Sequence, residues 1–523
     1  MNADNVKRLC AIPAAALFGM LLLSSCTTVG PDFEEPEAPV AEDWLESDDA
    51  RVNTSTTTYR DWWDVFHDPV LSKLIETAYQ QNLTLQIAGL RIMEARAQLG
   101  FATGLQYPQS QSVNASYVVS KSSRNAPPLA NLPDDIRESA SQSVDFWGVS
   151  FDAAWEADVW GKFQRGMEAA DANLAARTLD YDSVLVMLSG DVAALYTTIR
   201  TFGERLSYAR ENVGLQQESL DLAETRYQLG ATSELDVEQA KALLYNTEAL
   251  IPILELGLSR TKNVLSQLLG LPPSDLEYLL GGTGGIPAAP PTVAVGIPAD
   301  LIRRRPDVRA AEMAAAAQSA AIGINQADLY PHFGLAGSIG LAGDTFADQF
   351  ASGSGTGFFT PFVKWDIFNY GRIRNNVRIQ DARFEQLVVA YQNTALAAAR
   401  EVQDGLQGFL RTREQVGFLT EAVGASDRAA QLALVQYQQG ATDYTRVLNT
   451  QTSLLQQQDA LTEARGQVVS NLVATYKALG GGWQIREGHD FIKSTTAESM
   501  AARTNWGEML AAPSETPEAP PEP

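Results

Sequence analysis

Two stretches far apart in the chain carry one signature. RYQLGATSELDV at 226–237 and QYQQGATDYTRV at 436–447 align on Tyr, Gln, Gly, Ala, Thr and Val at an offset of 210 residues. The same offset relates WEADVWGK (155–162) to WDIFNYGR (365–372), and Leu269-Gly270 to Leu479-Gly480. One structural unit is therefore used twice, and a repeat of this size dictates the architecture. GFATGLQYP (100–108) and GINQADLYP (323–331) pair at an offset of 223, so the stretch that follows is 13 residues longer in the first copy. Insertions collect in loops, which places a loop there.

Each copy reads as two long helices. From Lys162 to about Leu229 there is no Pro, and Leu174, Leu185, Leu188, Val192, Leu195, Ile199, Leu206, Val213 and Leu220 recur at helical spacings. At 1.5 Å per residue such a helix is about 100 Å long, several times the usual globular length. The second copy repeats this over 372–439, and returning helices are expected over about 233–269 and 443–479, giving antiparallel hairpins at 162–269 and 372–479. Gly230 and Gly440 stand where a helix ends in a left-handed residue, and Ser233 with Asp236 resembles a capping box. Ala, Gln and other small residues dominate these helices, so they suit a thin curved wall or tube rather than a thick core.

Ahead of each long helix the period changes to two. In HFGLAGSIGLAG (332–343), Phe333, Leu335, Ile339 and Leu341 alternate with Gly and small residues, which predicts a strand with one apolar face. Its partner is expected at 357–369, and the first copy offers strands at 109–121 and 143–159. Four strands cannot close a barrel alone, and an open sheet edge is not tolerated in lipid, so a membrane location requires oligomerisation. The strands exit through Trp160-Gly161-Lys162 and Tyr370-Gly371-Arg372. Aromatics with snorkelling bases mark a membrane interface.

The ends of the chain are specialised. Lys7 and Arg8 precede an apolar run that reaches Leu23, too short for a spanning helix and typical of a signal peptide over 1–25. Leu23-Ser24-Ser25-Cys26 resembles a bacterial lipobox, which would make Cys26 the acylated amino terminus of the mature chain. Several acyl chains on one residue tether a protein firmly. Thr27 stands where an Asp would favour inner-membrane retention, so the expected destination is the outer membrane of a Gram-negative bacterium. Segment 26–66 is then an anchored, extended arm, 67–270 the first repeat, 271–298 a Pro/Gly linker and 299–480 the second repeat. The acidic, Pro-rich stretch 481–523 is expected to be disordered.

Cys10 and Cys26 are the only cysteines, so the folded part has no thiol for a disulfide, a metal or a nucleophile. No cofactor is expected beyond the covalent lipid. The net charge of −24 becomes −25 once residues 1–25 are gone, which argues against nucleic acid as partner. His67, His332 and His489 are isolated, and neither a GxSxG nor a P-loop pattern occurs, which argues against an enzyme. Arg303, Arg304 and Arg305, beside a helix start at Pro306, read as structural bases rather than an anion site.

With CTTVGPDFEEP (26–36), the WGK turn, YQLGATSELDV and GIPADLIRRRPDVRAAE (296–312) in hand, the chain resembles the outer-membrane efflux protein family, the TolC-like ducts, in the lipoprotein branch of the OprM/NodT type. The match covers about residues 26–482. The resemblance implies a mainly α fold with a small β part: a homotrimer whose strands build a twelve-stranded barrel continued by a periplasmic helical tunnel. It implies a passive conduit for small molecules, serving an inner-membrane pump through a periplasmic adaptor, with type I protein secretion as the alternative duct function. By the same resemblance the turns Gly230, Ala231, Thr232, Ser233 and Gly440, Ala441, Thr442, Asp443 meet the adaptor. A periplasmic gate follows at Thr445, Arg446 and Asn449, where relatives often carry acidic residues. We expect Arg446 to pair with Asp443 or Asp236 and so hold this gate by salt bridges. A lipid-tethered structural coiled coil is the remaining reading, and the alternation at 332–343 counts against it.

Overall fold

The four period-two segments pair in chain order into one antiparallel sheet: β1 (Ser110–Lys121), β2 (Ser143–Ala157), β3 (His332–Gly343) and β4 (Gly355–Lys364). The computed structural model describes residues 28–55, 59–127, 129–282 and 284–510; the signal peptide, Cys26 and the stretch after 510 lie outside the described residues. Register places Val113 beside Phe151 and Phe151 beside Ile339, and Ala157 beside Phe333 and Phe333 beside Val363. One face of the sheet is therefore mainly apolar, with Asp145, Ser143 and Lys121 on it only at the end toward the β1–β2 loop and Gln111 at the opposite end. The other face carries Ser112, Asp152 and Ser338 in one row and Asn114, Ser150 and Gly340 in the next. The apolar face is bare: Val113, Phe151, Ile339, Phe359 and Val363 are all exposed. Both outer strands, β1 and β4, are exposed along their whole length.

Two strand ends fall short of the expected ones. β2 stops at Ala157, where Val159 N–H turns back onto its carbonyl at 2.9 Å, and β4 stops at Lys364, where Ile367 N–H closes on Trp365 O at 3.1 Å. Tight local turns have replaced the ladder at both exits. The connection between β1 and β2 spans residues 122–142 and contains a short helix, Asp134–Ser139, whereas that between β3 and β4 spans only 344–354. Ten of the 13 extra residues of the first copy lie in this loop, 21 residues against 11.

In chain order the main helices are α1 (Pro69–Gln81), α2 (Leu83–Gly104), α3 (Lys162–Gln228), α4 (Glu234–Leu268), α5 (Pro306–Ala327), α6 (Arg372–Gln438), α7 (Tyr444–Ala478) and α8 (Ser494–Arg503). The long helices of the two copies match residue for residue: α3 and α6 have 67 residues each, α4 and α7 have 35. The chain divides into two compact units. Among the described residues, one takes 28–35, Ala95–Leu174 and Met313–Leu387; the other takes Pro36–Glu94, Ala175–Glu312 and 388–510.

In the second unit α3 and α7 run antiparallel along a polar seam. Asn212 Nδ2 donates to Gln458 Oε1 at 2.6 Å, Gln451 Nε2 donates to Ser219 Oγ at 2.7 Å, and Arg205 holds Asp459 through two nitrogens at 2.7 and 2.9 Å. Gln216, between Asn212 and Ser219, is 1% exposed and neither amide atom has a partner among the described residues. A seam with Gln and Asn at its inward positions specifies register at a cost in stability. An aromatic group of Tyr59, Trp62, Trp63 and Phe66 packs beside α7, with Trp62 stacked on Tyr476 at 5.5 Å. The arm before it is tied down by Trp44 Nε1 donating to Gly296 O at 3.0 Å and by Val52–Asn53 pairing in parallel with Val293–Ala294. Of the three consecutive arginines, Arg305 is buried, bound to Asp307 at 2.7 Å and Glu401 at 2.8 Å, and donates to Ala478 O at 2.9 Å. Arg304 lies over the Tyr59 ring and pairs with Asp300 at 3.3 Å, so both bases are structural.

The expectation of disorder from residue 481 is corrected over the described part of the tail. Trp483–Arg486 forms a 3-10 turn and Ser494–Arg503 forms α8. Arg486 Nη2 donates to Asp182 Oδ2 at 2.8 Å, its Nε reaches Oδ1, and its guanidinium lies 5.1 Å from the Phe491 ring, which packs edge-on against Tyr181. Asp182 is 2% exposed, and burial pushes its carboxyl up against the opposing pull of Arg486. Composition suggested a solvated tail because few apolar residues are present. The tail is docked by Arg486 on a buried carboxylate together with Phe491 against Tyr181 and the buried Ile492 and Met500.

Candidate functional site

The strand exits of the first unit differ between the copies. In the first, Trp160 stacks on Tyr330 at 4.8 Å and donates Nε1–H to Pro331 O at 2.8 Å, while Lys162 Nζ binds Asp328 at 2.7 Å. Gly161 has φ +72° and lies so close to Thr28 that a Cβ there would fall within 3 Å of it, so this turn requires glycine. The arm that follows Cys26 is held here: Val29 N–H donates to Trp160 O at 3.0 Å, and Arg165 binds Val29 O, Gly30 O and Asp32. Nearby, His332 Nδ1 meets Glu156 Oε1 at 2.6 Å, a fixed structural contact at the start of β3. In the second copy Tyr370 and Arg372 are exposed, and Gly371 has φ +82°.

The interhelical turns belong to the second unit and close in the same way. α3 ends with Gly230 at φ +71°, and Ala231 N–H reaches back to Arg226 O at 2.8 Å; α6 ends with Gly440 at φ +76°, and Ala441 N–H reaches Gln436 O at 2.8 Å. A left-handed glycine followed by this backward bond is how helix ends satisfy their orphan carbonyls. Around the turns Leu220, Ala223, Val237, Ala240, Leu244, Ala433, Tyr437, Tyr444 and Val447 form one buried cluster drawn from all four long helices. Tyr437 and Tyr444 meet edge-on at 5.3 Å, and burial pushes both phenols up.

Polar contacts cross from one turn to the other. Arg226 Nη1 donates to Tyr437 O and, at 3.1 Å, to Gln438 O, and its guanidinium lies 4.7 Å from the Tyr437 ring centre. Tyr437 OH donates to Asp236 Oδ2 at 3.2 Å, and the same carboxylate accepts from Thr232 Oγ1. Arg226 stands in the last turn of its own helix, where a cation is favoured, and neutralises the last carbonyls of α6 as well.

A match to the model of the outer membrane efflux protein family covers residues 74–271 and 297–481, most of both repeats. The chain belongs to the outer membrane efflux protein family. Among relatives of this efflux protein, the pyoverdine export outer membrane protein OpmQ of Pseudomonas putida is 32% identical over 479 residues, 91% of this chain and 98% of that protein. The solvent efflux pump outer membrane protein SrpC of Pseudomonas putida is 29% identical over 484 residues, 90% of this chain and 98% of that protein. The solved outer-membrane channel OprN superposes with a TM-score of 0.81 at 29% identity, covering 87% of this chain and 99% of that one. The efflux protein is accordingly mainly helical with a small β part, and its place is the outer membrane of a Gram-negative bacterium.

Two expectations about its tip are corrected. Among the described residues Arg446 forms no ion pair with Asp443 or Asp236: Asp443 Oδ1 accepts the backbone N–H of Arg446 at 3.3 Å as a helix cap, and Arg446 Nε donates to Thr442 Oγ1 at 3.1 Å. Asp236 is taken by Thr232 and Tyr437, and Asp443 is needed by the helix terminus. For the same reason Ser233 and Asp236 make no reciprocal capping box; the Ser233 side chain caps nothing. Thr445, Arg446 and Asn449 are all exposed. The residue that sequence reasoning passed over is Arg226. Its signal was present, since the position equivalent to Arg226 in the second copy is Gln436, so only one of the two turns carries this base.

Proposed function

We propose that this efflux protein is the passive exit duct of a tripartite efflux system. Three copies close a twelve-stranded barrel in the outer membrane, and their long hairpins continue it as a tunnel into the periplasm. The observation that carries this reading is the sheet: a bare apolar face, a face of Ser, Asn, Asp and Gly, and two exposed outer strands, with β2 and β4 each leading in sequence into a 67-residue helix. A sheet of that kind is stable in lipid only when its edges are closed by further copies. Small molecules are the cargo favoured by the relatives, one named for solvent efflux and one for pyoverdine export. Catalysis has no part in this role. Acylation of Cys26 fits the anchoring of the arm after it at Gly161, beside the end of the sheet.

The turns Gly230 to Ser233 and Gly440 to Asp443 then meet a periplasmic adaptor protein that links the duct to an inner-membrane pump. Closure of the tip rests on the contacts of Arg226 and Asp236 with Tyr437, because these tie the first hairpin to the second. Thr445, Arg446 and Asn449 line the constriction beside them. With a net charge of −25 per mature chain, the duct favours cations. Single-channel recording of the purified mature protein in planar bilayers tests the reading. Discrete cation-favouring steps are expected. Anion selectivity would contradict the charge assignment, and failure of intact protein to insert would leave only the tethered coiled coil.

A further inference from the structure

The two repeats treat their membrane junctions differently, and the difference is one of charge and exposure. Residues 154–173 carry two basic and four acidic side chains; the equivalent residues 364–383 carry five basic and two acidic ones in a chain whose net charge is −24. The first junction is neutralised from within. Lys162 binds Asp328, Arg165 binds Asp32 and Glu168, and Asp158 accepts the N–H groups of Phe163 and Gln164. At the second, Asp158 is replaced by Phe368, and the positions of Lys162, Gln164, Glu168 and Asn173 are all arginine: Arg372, Arg374, Arg378 and Arg383.

None of these four arginines has an ion-pair partner among the described residues. Arg378 and Arg383 donate only to Asn375 and Gln380, and all four are exposed. Beside them stand Trp365, Ile367, Phe368 and Tyr370, likewise exposed, Phe368 at 85% and Tyr370 at 100%. Tyr370 adopts φ +50°, a left-handed conformation unfavourable for an aromatic residue, and its ring stands clear of the protein. In the first copy the corresponding Trp160 is folded onto Tyr330 instead.

We propose that residues 364–383 form a docking surface for anionic phospholipid headgroups in the membrane leaflet at the helical end of the sheet. This rests on the reading of the sheet as part of a membrane barrel and adds the chemistry of the lipid to it. Aromatic side chains at a headgroup boundary present an apolar body and a polar tip to lipid. Planar guanidinium groups match phosphate oxygens in paired hydrogen bonds. A cluster of bases immediately beside a membrane-spanning segment is the charge pattern that selects anionic lipid. The protein's own negative charge makes the choice sharper, because four unpaired cations are retained where the first copy cancels its own.

The test uses the mature lipidated protein in nanodiscs of phosphatidylcholine alone or with phosphatidylglycerol, beside a variant carrying Arg372→Gln, Arg374→Gln and Arg378→Gln. Bound phosphatidylglycerol is counted by native mass spectrometry and its affinity measured against salt. Wild type should retain phosphatidylglycerol in preference to phosphatidylcholine, and the variant should lose roughly fivefold per arginine, about a hundredfold in all. Insertion and conductance in pure phosphatidylcholine should be equal for both proteins. Equal retention of the two lipids by wild type would overturn the proposal. So would a variant that comes apart into single chains in phosphatidylcholine, because the arginines would then serve carboxylates of a neighbouring copy. Absence of insertion by wild type in any lipid would instead overturn the membrane-barrel reading beneath it.

Discussion

Replacing Arg226 by Met should loosen the closed tip without unfolding the hairpins. The side chain keeps its length and apolar stem, and the helix keeps its propensity, since Arg and Met rank together. What is lost is specific. Two carbonyls at the end of α6, those of Tyr437 and Gln438, lose a charged donor, and the Tyr437 ring loses a cation 4.7 Å from its centre. A hydrogen bond to a charged group contributes about 1.5–3 kcal/mol and an exposed cation–π contact about 0.5–1 kcal/mol. The carbonyls are partly wet at a helix end and recover water, so a net loss of about 2 kcal/mol per chain is reasonable, roughly a thirtyfold shift toward the open tip. Single-channel recording at fixed salt reads this directly as a larger fraction of time at the high-conductance level. Arg226→Lys should fall between the two, because a lysine retains the charge but lacks the planar fork. Tyr437→Phe, which removes only the 3.2 Å bond to Asp236, should open the tip less than Arg226→Met. Unchanged gating in Arg226→Met, with oligomers of normal stability, would refute the tie between the hairpins as the closing contact.

Three further outcomes follow from the structure. Gln216→Leu should stabilise the protein by about 1–3 kcal/mol, because it removes a buried amide with no partner from the seam between α3 and α7; a lower melting temperature would show that the amide is satisfied after all. Arg486→Met should cost about 3–5 kcal/mol and release the tail to protease, since it leaves the Asp182 carboxylate buried and uncompensated, and an unchanged digestion pattern would count against the docked tail. The hydrogen bond from the Arg51 guanidinium holds Asp49 down at about 2, below its ordinary 3.8. The native state therefore gains from ionised Asp49 above about pH 4 and loses that gain as pH falls toward 2, so Asp49→Asn should flatten the acid limb of a stability-against-pH curve in that window.

Much of the fold was legible because its signals are local and used twice. The helical hairpins follow from apolar spacing uninterrupted by Pro over 162–229 and 372–439, and their turns follow from Gly230 and Gly440, whose left-handed conformations no other residue adopts as cheaply. The strands follow from alternation at 332–343. Their ends were less legible, since β4 stops at Lys364 although the apolar pattern continues through Ile367 and Phe368. The ladder ends where the chain turns toward α6, and that turn is not written in hydrophobicity. Within the candidate site the turns were found, but the expected ion pair of Arg446 with Asp443 or Asp236 is not made, and the contact of Arg226 across the turns went unread. Arg446 is close in sequence to Asp443, yet that carboxylate is committed to capping α7.

The sequence by itself determined the repeat, the length and period of each element, and the residues at which helices must turn. All of these depend on contacts a few residues apart, or on the conformations one residue can adopt. Tertiary structure decided which distant partners meet: Arg226 with Tyr437, 211 residues away, Arg486 with Asp182, 304 away, and β2 with β3 across a whole hairpin. It also decided which charges stay unpaired, as at Arg372, Arg374 and Arg378. A charge has no preferred partner along the chain, because several opposite charges offer similar attraction. Only the packing of the backbone selects which of them comes within hydrogen-bonding distance.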